Sequence, residues 1–150
     1  MNIPRGIRIL AVTLAPLGCS ISDPQAGETV STSFTVDNTT VTQGEVIHIQ
    51  ITAGNFGNDP ITLSGPGGCY VFFQVREPSR SSVVYNSNNA CLGPTTTLVL
   101  QPAATEVENF VWDGSGSTGL RLQSGTYELR VGANLLGKTV VGPATLVNVE

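Results

Sequence analysis

The clearest pattern in the chain runs from Val46 to Ala53, where Ile47, Ile49 and Ile51 alternate with His48, Gln50 and Thr52. A period of two places one face of a strand in a core and the other in water. Upstream, Ser31 to Val36 reads as a first strand, ended by the turn-prone pair Asp37-Asn38. Downstream, Asn55-Phe56-Gly57-Asn58-Asp59-Pro60 breaks the alternation, Ile61 to Leu63 resumes it, and Gly65-Pro66-Gly67-Gly68 breaks it again. Cys69 to Val75 is rich in aromatic and β-branched residues, and Glu77-Pro78-Ser79-Arg80-Ser81 predicts a hairpin loop into Ser82 to Tyr85. A polar connection from Asn86 to Pro94 follows.

Thr96 to Leu100 and Thr105 to Trp112 predict two more strands around Gln101-Pro102-Ala103-Ala104, and Asp113 to Gly119 is a Gly/Ser loop. Leu122, Gly125 and Tyr127 have the spacing of a tyrosine corner, in which a tyrosine hydroxyl returns to backbone a few residues upstream. Leu129 stands where antibody domains place their second cysteine, so no inter-sheet bridge of that kind is expected. Ala133 to Lys138 reads as a turn region and Thr145 to Val149 as the last strand. About eight or nine short strands separated by turns predict an all-β, immunoglobulin-like antiparallel sandwich over residues 29–150.

Composition supports this picture. Only 12% of residues are charged, while Gly (17) and Pro (9) are abundant. Ahead of the domain, Arg5 and Arg8, the apolar run Ile9 to Leu17, and Gly18 have the layout of a secretory leader, placing a signal peptide at 1–18. The apolar run is too short to span a bilayer, which takes about 20 helical residues. Cys19, directly after the leader pattern that ends in Gly18, resembles the lipid-bearing cysteine of bacterial lipoproteins, although Pro16 occupies the place where that pattern prefers Leu. The alternative is cleavage nearby, with Cys19 lost or left as an ordinary thiol. Residues 19–28 then form a lipid-attachment cysteine and tether, and the protein belongs to the cell envelope, membrane-anchored or, failing lipidation, secreted or periplasmic. Losing Arg5 and Arg8 leaves five basic against eleven acidic residues, a balance of −6 that disfavours nucleic acid as partner.

In an oxidising compartment Cys69 and Cys91 most simply pair with each other, closing a loop worth ~3 kcal/mol. A zinc site is disfavoured because His48 is the sole histidine. The same count leaves one candidate base for nucleophilic catalysis, and His48 on the polar face of a strand reads as a solvent-facing structural residue. Glu106 and Glu108 share a strand face and read as a solvated edge. Asp113 beside Gly114-Ser115-Gly116-Ser117 offers one carboxylate, too few for calcium, and the run lacks the Lys of a phosphate loop. It reads as a plain flexible loop. Trp112 reads as a core residue whose face the pattern does not fix. No catalytic residues, metal or cofactor are expected.

The ordered series Ile47 to Ala53, Asn55, Pro60-Ile61-Thr62-Leu63, Phe72-Phe73-Gln74-Val75, Val83-Val84-Tyr85, Leu98-Val99-Leu100 and Phe110-Val111-Trp112-Asp113, ahead of Leu122, Gly125 and Tyr127, resembles the BsuPI-type family of intracellular proteinase inhibitors. The resemblance covers about Val46 to Val131 and implies an immunoglobulin-like domain that binds a proteinase through an exposed loop. Three features depart from that family: the export signal, Pro102-Ala103 where a Pro-Gly turn is usual, and Tyr85-Asn86 in place of an aromatic-Ser pair. The loops expected to meet a partner are Glu77, Pro78, Ser79, Arg80 and Ser81, and the run holding Asp113, Ser115 and Ser117. The partner is a proteinase or another envelope protein, and the alternative function is a structural or accessory envelope lipoprotein without inhibitory activity.

Overall fold

A computed structural model describes residues 29–80 and 82–150. The leader, Cys19, the tether up to residue 28, and Ser81 lie outside the described residues. The rest forms ten strands and one short 3-10 turn: β1 (Val30–Val36), β2 (Thr40–Val41), β3 (Ile47–Asn55), β4 (Ile61–Pro66), β5 (Val71–Arg76), β6 (Val83–Asn86), the turn Ser87–Ala90, β7 (Thr95–Leu100), β8 (Thr105–Trp112), β9 (Gly125–Leu135) and β10 (Lys138–Val149). One sheet has the order β1-β3-β8. The other runs β2-β10-β9, and the β5–β6 and β4–β7 pairs both attach along β9.

The period-two reading of β3 holds residue by residue: Ile47, Ile49 and Ile51 are buried, and His48 and Gln50 are exposed. They meet Val71, Phe73 and Val75 of β5 and Leu129, Val131 and Val147 of the facing sheet in one core. Trp112 ends β8 inside this core, which settles its face. The Tyr127 hydroxyl donates to the Gln123 carbonyl at 2.9 Å, completing the tyrosine corner. Leu122 packs against the core, whereas a Cβ on Gly125 would make only ordinary van der Waals contacts with Tyr127 and Gln123, so nothing there requires glycine.

Several expectations are corrected. Among the described residues there are ten strands where about eight or nine were expected, the addition being the two-residue β2, which lies parallel to the end of β10 through Asn148↔Thr40 and Val149↔Val41. The supposed turn region is mostly strand: β9 runs on to Leu135, only Leu136 and Gly137 turn, and β10 begins at Lys138. Gly142-Pro143 sits at a register shift between Val141 and Ala144, so β10 continues past it as a bulged strand. Gly65 and Pro66 likewise belong to β4, and the backbone turns at Gly67 and Gly68, both with positive φ.

Glu106 and Glu108 are no solvated edge. On β8 it is Val107 and Val111 that face outward, while Glu106 and Glu108 point inward with Phe110 and Trp112. The Glu108 carboxylate accepts the backbone N–H groups of Tyr70 at 2.8 Å and Val71 at 3.2 Å, tying the three-stranded sheet to the start of β5. The carboxylate thus supplies an acceptor for two backbone groups at the point where β5 begins.

Candidate functional site

The Cys69–Cys91 disulfide is formed, with Cα atoms 6.2 Å apart. It clips the connection after β6 onto the entrance to β5, as expected. Next to it the Ser87 hydroxyl accepts the Phe73 N–H at 2.9 Å, which fixes the 3-10 turn against β5.

The two loops expected to meet a partner come together at the end of the sandwich where β8 finishes. The β5–β6 hairpin closes through Glu77 N–H to the Ser82 carbonyl at 3.0 Å and Arg80 N–H to the Glu77 carbonyl at 3.3 Å. The other loop is far from a plain flexible tail. Trp112 donates from Nε1 to the Ser115 carbonyl at 2.8 Å, Ser115 N–H to the Asp113 side chain at 3.0 Å, and Gly116 N–H to the Leu120 carbonyl at 2.8 Å. Gly114 and Gly119 supply the positive φ angles that fold the loop back on itself. Arg121 braces it by donating to the Asp113 and Val41 carbonyls at 3.0 and 2.9 Å and to the Glu150 carbonyl. The loop is thus held by side-chain and backbone hydrogen bonds, which lowers the freedom it would lose on binding.

Ser117 N–H donates to the Val84 carbonyl at 2.8 Å, joining this loop to the hairpin. Between them lies a groove of about 470 Å³ walled by Glu77, Val83, Ser117, Leu120, Leu122 and Gln123. Leu120, at 73% exposure, is the largest apolar group offered to a partner there, and Val83 is also exposed. Below the groove Tyr85 stacks on Phe73 with ring centroids 5.2 Å apart and tilts against Trp112. Burial, and secondarily the charge of Asp113, push the Tyr85 hydroxyl above the ordinary tyrosine range. Of the expected loop residues, Glu77 and Ser117 wall the groove, Asp113 and Ser115 build the loop behind it, and Pro78, Ser79 and Arg80 are exposed on the hairpin turn.

His48 lies elsewhere, on the outer face of β3, with Nδ1 2.7 Å from the Asp37 carboxylate. The same carboxylate accepts the His48 N–H at 2.8 Å, and this backbone bond, followed by the side-chain bond, holds Asp37 below the usual carboxylate range. Both side chains are at least half exposed, so the pair closes the ends of β1 and β3 in solvent. Among the described residues no group of three or more His, Cys, Asp or Glu is placed to hold a metal ion.

Sequence reasoning missed Asn55. It is fully buried, its Nδ2 donating to the Asp59 and Leu100 carbonyls at 2.9 and 3.0 Å and its Oδ1 accepting Gly57 N–H at 3.0 Å. Its backbone bonds Ala103 and Ala104, so one residue joins the loops at the end of the sandwich opposite the groove.

No protein-family model matches the chain, and no curated protein matches it in sequence. Solved structures do share its architecture. One is Spo0M, a sporulation control protein from Bacillus subtilis, 10% identical over 82% of this chain and 50% of that one, with a TM-score of 0.54. Another is the Pseudomonas fluorescens alkylpurine DNA glycosylase AlkC, bound to DNA containing an abasic site analog, 14% identical over 83% of this chain and 31% of that one, with a TM-score of 0.51. The CARDB domain of PF1109 from Pyrococcus furiosus, in complex with di-metal ions, is 14% identical over 81% of this chain and 87% of that one, with a TM-score of 0.49. This chain spans about half the length of the Spo0M chain and about a third of the AlkC chain. At such identities the likeness shows a fold and not a chemistry: the chain is an immunoglobulin-like β-sandwich.

Proposed function

We propose that this chain is an exported, lipid-anchored binding module of the cell envelope, whose groove between the β5–β6 hairpin and the Asp113–Gly119 loop takes a segment of a partner protein. The observation that carries this reading is the meeting of the two loops through Ser117 and Val84, with Leu120 exposed on a hydrogen-bonded rim. A rigid, partly apolar groove with polar walls is the kind of surface that binds without paying heavily in entropy. Its charged lining is balanced, Glu77, which Arg80 approaches at 3.8 Å, against Arg121, so the segment that fits is chosen by its apolar residue rather than by net charge.

A proteinase is the partner class that the BsuPI resemblance implies. The fold of the Asp113–Gly119 loop favours a groove that receives a segment over a loop inserted into a proteinase, because Ser117 N–H is already engaged and two positive-φ glycines curl the chain. Inhibition through the Glu77–Ser82 hairpin remains the variant to assay. If the protein at micromolar concentration leaves subtilisin-like and trypsin-like proteinases at full speed, inhibition is excluded and the binding module stands alone.

The binding reading is tested by passing envelope extract over immobilised wild-type domain and over Leu120→Asp. The expected result is a partner retained saturably by the wild type and at least tenfold more weakly by the variant. Equal retention by both, or no saturable partner, overturns the groove as the site.

A further inference from the structure

We propose that the opposite end of the sandwich, tipped by Phe56 and Leu136, rests on the bilayer that holds the Cys19 lipid, so that the groove points away from the membrane. This inference depends on the lipid-anchored reading above.

The chain enters the domain at Thr29, and its carbonyl accepts the Phe56 N–H at 2.7 Å. The two segments are in van der Waals contact, since a Cβ on Gly57 would lie 2.4 Å from Thr29 Cγ2. Phe56 is 74% exposed, yet its position is built. Its ring lies over Gly54, where a Cβ would come within 2.6 Å of Cε2, and Asn55 fixes the backbone on either side. Leu136, 67% exposed, stands at the tip of the β9–β10 turn, and its N–H donates to the Thr62 carbonyl at 3.0 Å, which places it at this same end. The exposed charges here are Asp59 and Lys138, one of each sign.

Single exposed apolar residues are ordinary on a protein surface. What distinguishes these is their place beside the point where the anchor arrives. From Cys19 to Thr29 the chain can span at most about 35 Å, and the nine residues of β3 put the groove roughly 27 Å further away. An aromatic and a leucine on a nearly uncharged tip suit the headgroup boundary, where aromatic residues are enriched. The groove end carries Glu45, Glu77 and Asp113 against Arg80 and Arg121, a small negative excess that gives an anionic surface nothing to attract. One acyl chain gives only marginal membrane binding, and a second, protein contact adds to it.

The test uses the full acylated protein on phosphatidylcholine and phosphatidylglycerol vesicles whose acyl chains are brominated near the headgroup. Trp112, the sole tryptophan, is buried and serves as the unquenched reference in the wild type. Phe56→Trp and, separately, Leu136→Trp are expected to lose about half or more of the added emission, and Leu120→Trp none. Floating protein with both tip variants unquenched, or with Leu120→Trp quenched, overturns the orientation while leaving the anchor intact. Wild-type protein that carries no acyl group and does not float with vesicles overturns the anchored reading, and this proposal with it.

Discussion

Ala103 is a residue working against its own preference. Pro102 and Ala103 form the corner of a turn closed by Ala104 N–H to the Gln101 carbonyl at 3.0 Å, and Ala103 has φ of 63°. Position three of such a turn favours glycine, because an L side chain in the left-handed region costs about 1–2 kcal/mol. Ala103→Gly relieves that strain and gives back roughly 0.4–1 kcal/mol through a freer unfolded chain. The expected net is a gain of about 0.5–1 kcal/mol, read as a higher urea midpoint at unchanged slope; a lower midpoint contradicts the turn assignment. Asn55→Ala acts in the opposite direction. It strands the Asp59 and Leu100 carbonyls and the Gly57 N–H, so a loss of about 2–4 kcal/mol is expected, and a loss below about 1 kcal/mol would show that these bonds are replaceable. The departure at Ala103 was legible as a missing Pro-Gly pair, whereas Asn55 was hidden. An asparagine among Gly, Asp and Pro reads as an exposed turn residue, and only the packing of a distant loop buries it.

At the level of elements, β3 and the Tyr127 corner were legible because each has a local signature, strict alternation in one and fixed spacing in the other. β2 has none: two residues paired in parallel with the far end of the chain leave no local pattern. The first half of β10 was masked by Gly142-Pro143, which reads as a turn but here is a bulge that lets the strand press on β1, a Cβ on Gly142 falling 1.7 Å from Thr32 Oγ1. β8 misleads most, since its valines face out and its glutamates in. Inward charge is a means of protecting an edge strand from pairing with another chain, and β8 is the edge of its sheet. Glu108 illustrates the consequence. Burial raises its carboxyl above the ordinary glutamate range, more than its two backbone bonds lower it, with Glu106 adding repulsion. A raised acid binds its proton more tightly in the folded state, so its contribution is present below the unfolded value and lost as pH rises through the folded one. Glu108→Gln keeps an acceptor for Tyr70 and Val71 and removes the ionisation. Its stability relative to wild type is expected to rise with pH across that window, leaving the variant at least as stable at pH 7; a variant that loses ground as pH rises contradicts the assignment.

The whole molecule is a sandwich with unlike ends. One end is gathered by Asn55 and tipped by Phe56 beside the chain entry, and the other is closed by the Tyr127 corner and carries the groove. The disulfide joins cysteines 22 residues apart in sequence, and replacing Cys69 and Cys91 together by serine is expected to lower stability by ~3 kcal/mol, seen as a lower thermal midpoint matched by the wild type under reductant. An unchanged midpoint would mean that the unfolded chain gains nothing from the bridge. The two loops were legible only as separate candidates, because their meeting depends on Ser117 and Val84 across strands that are not neighbours in the chain. The exported, oxidised and Cys19-anchored state proposed for this sandwich is read in one step by the intact mass of the protein extracted from membranes. The expected mass is that of a chain beginning at Cys19, heavier by its acyl groups and lighter by the two hydrogens of the Cys69–Cys91 bond. An uncut leader with free thiols at Cys69 and Cys91 would contradict it.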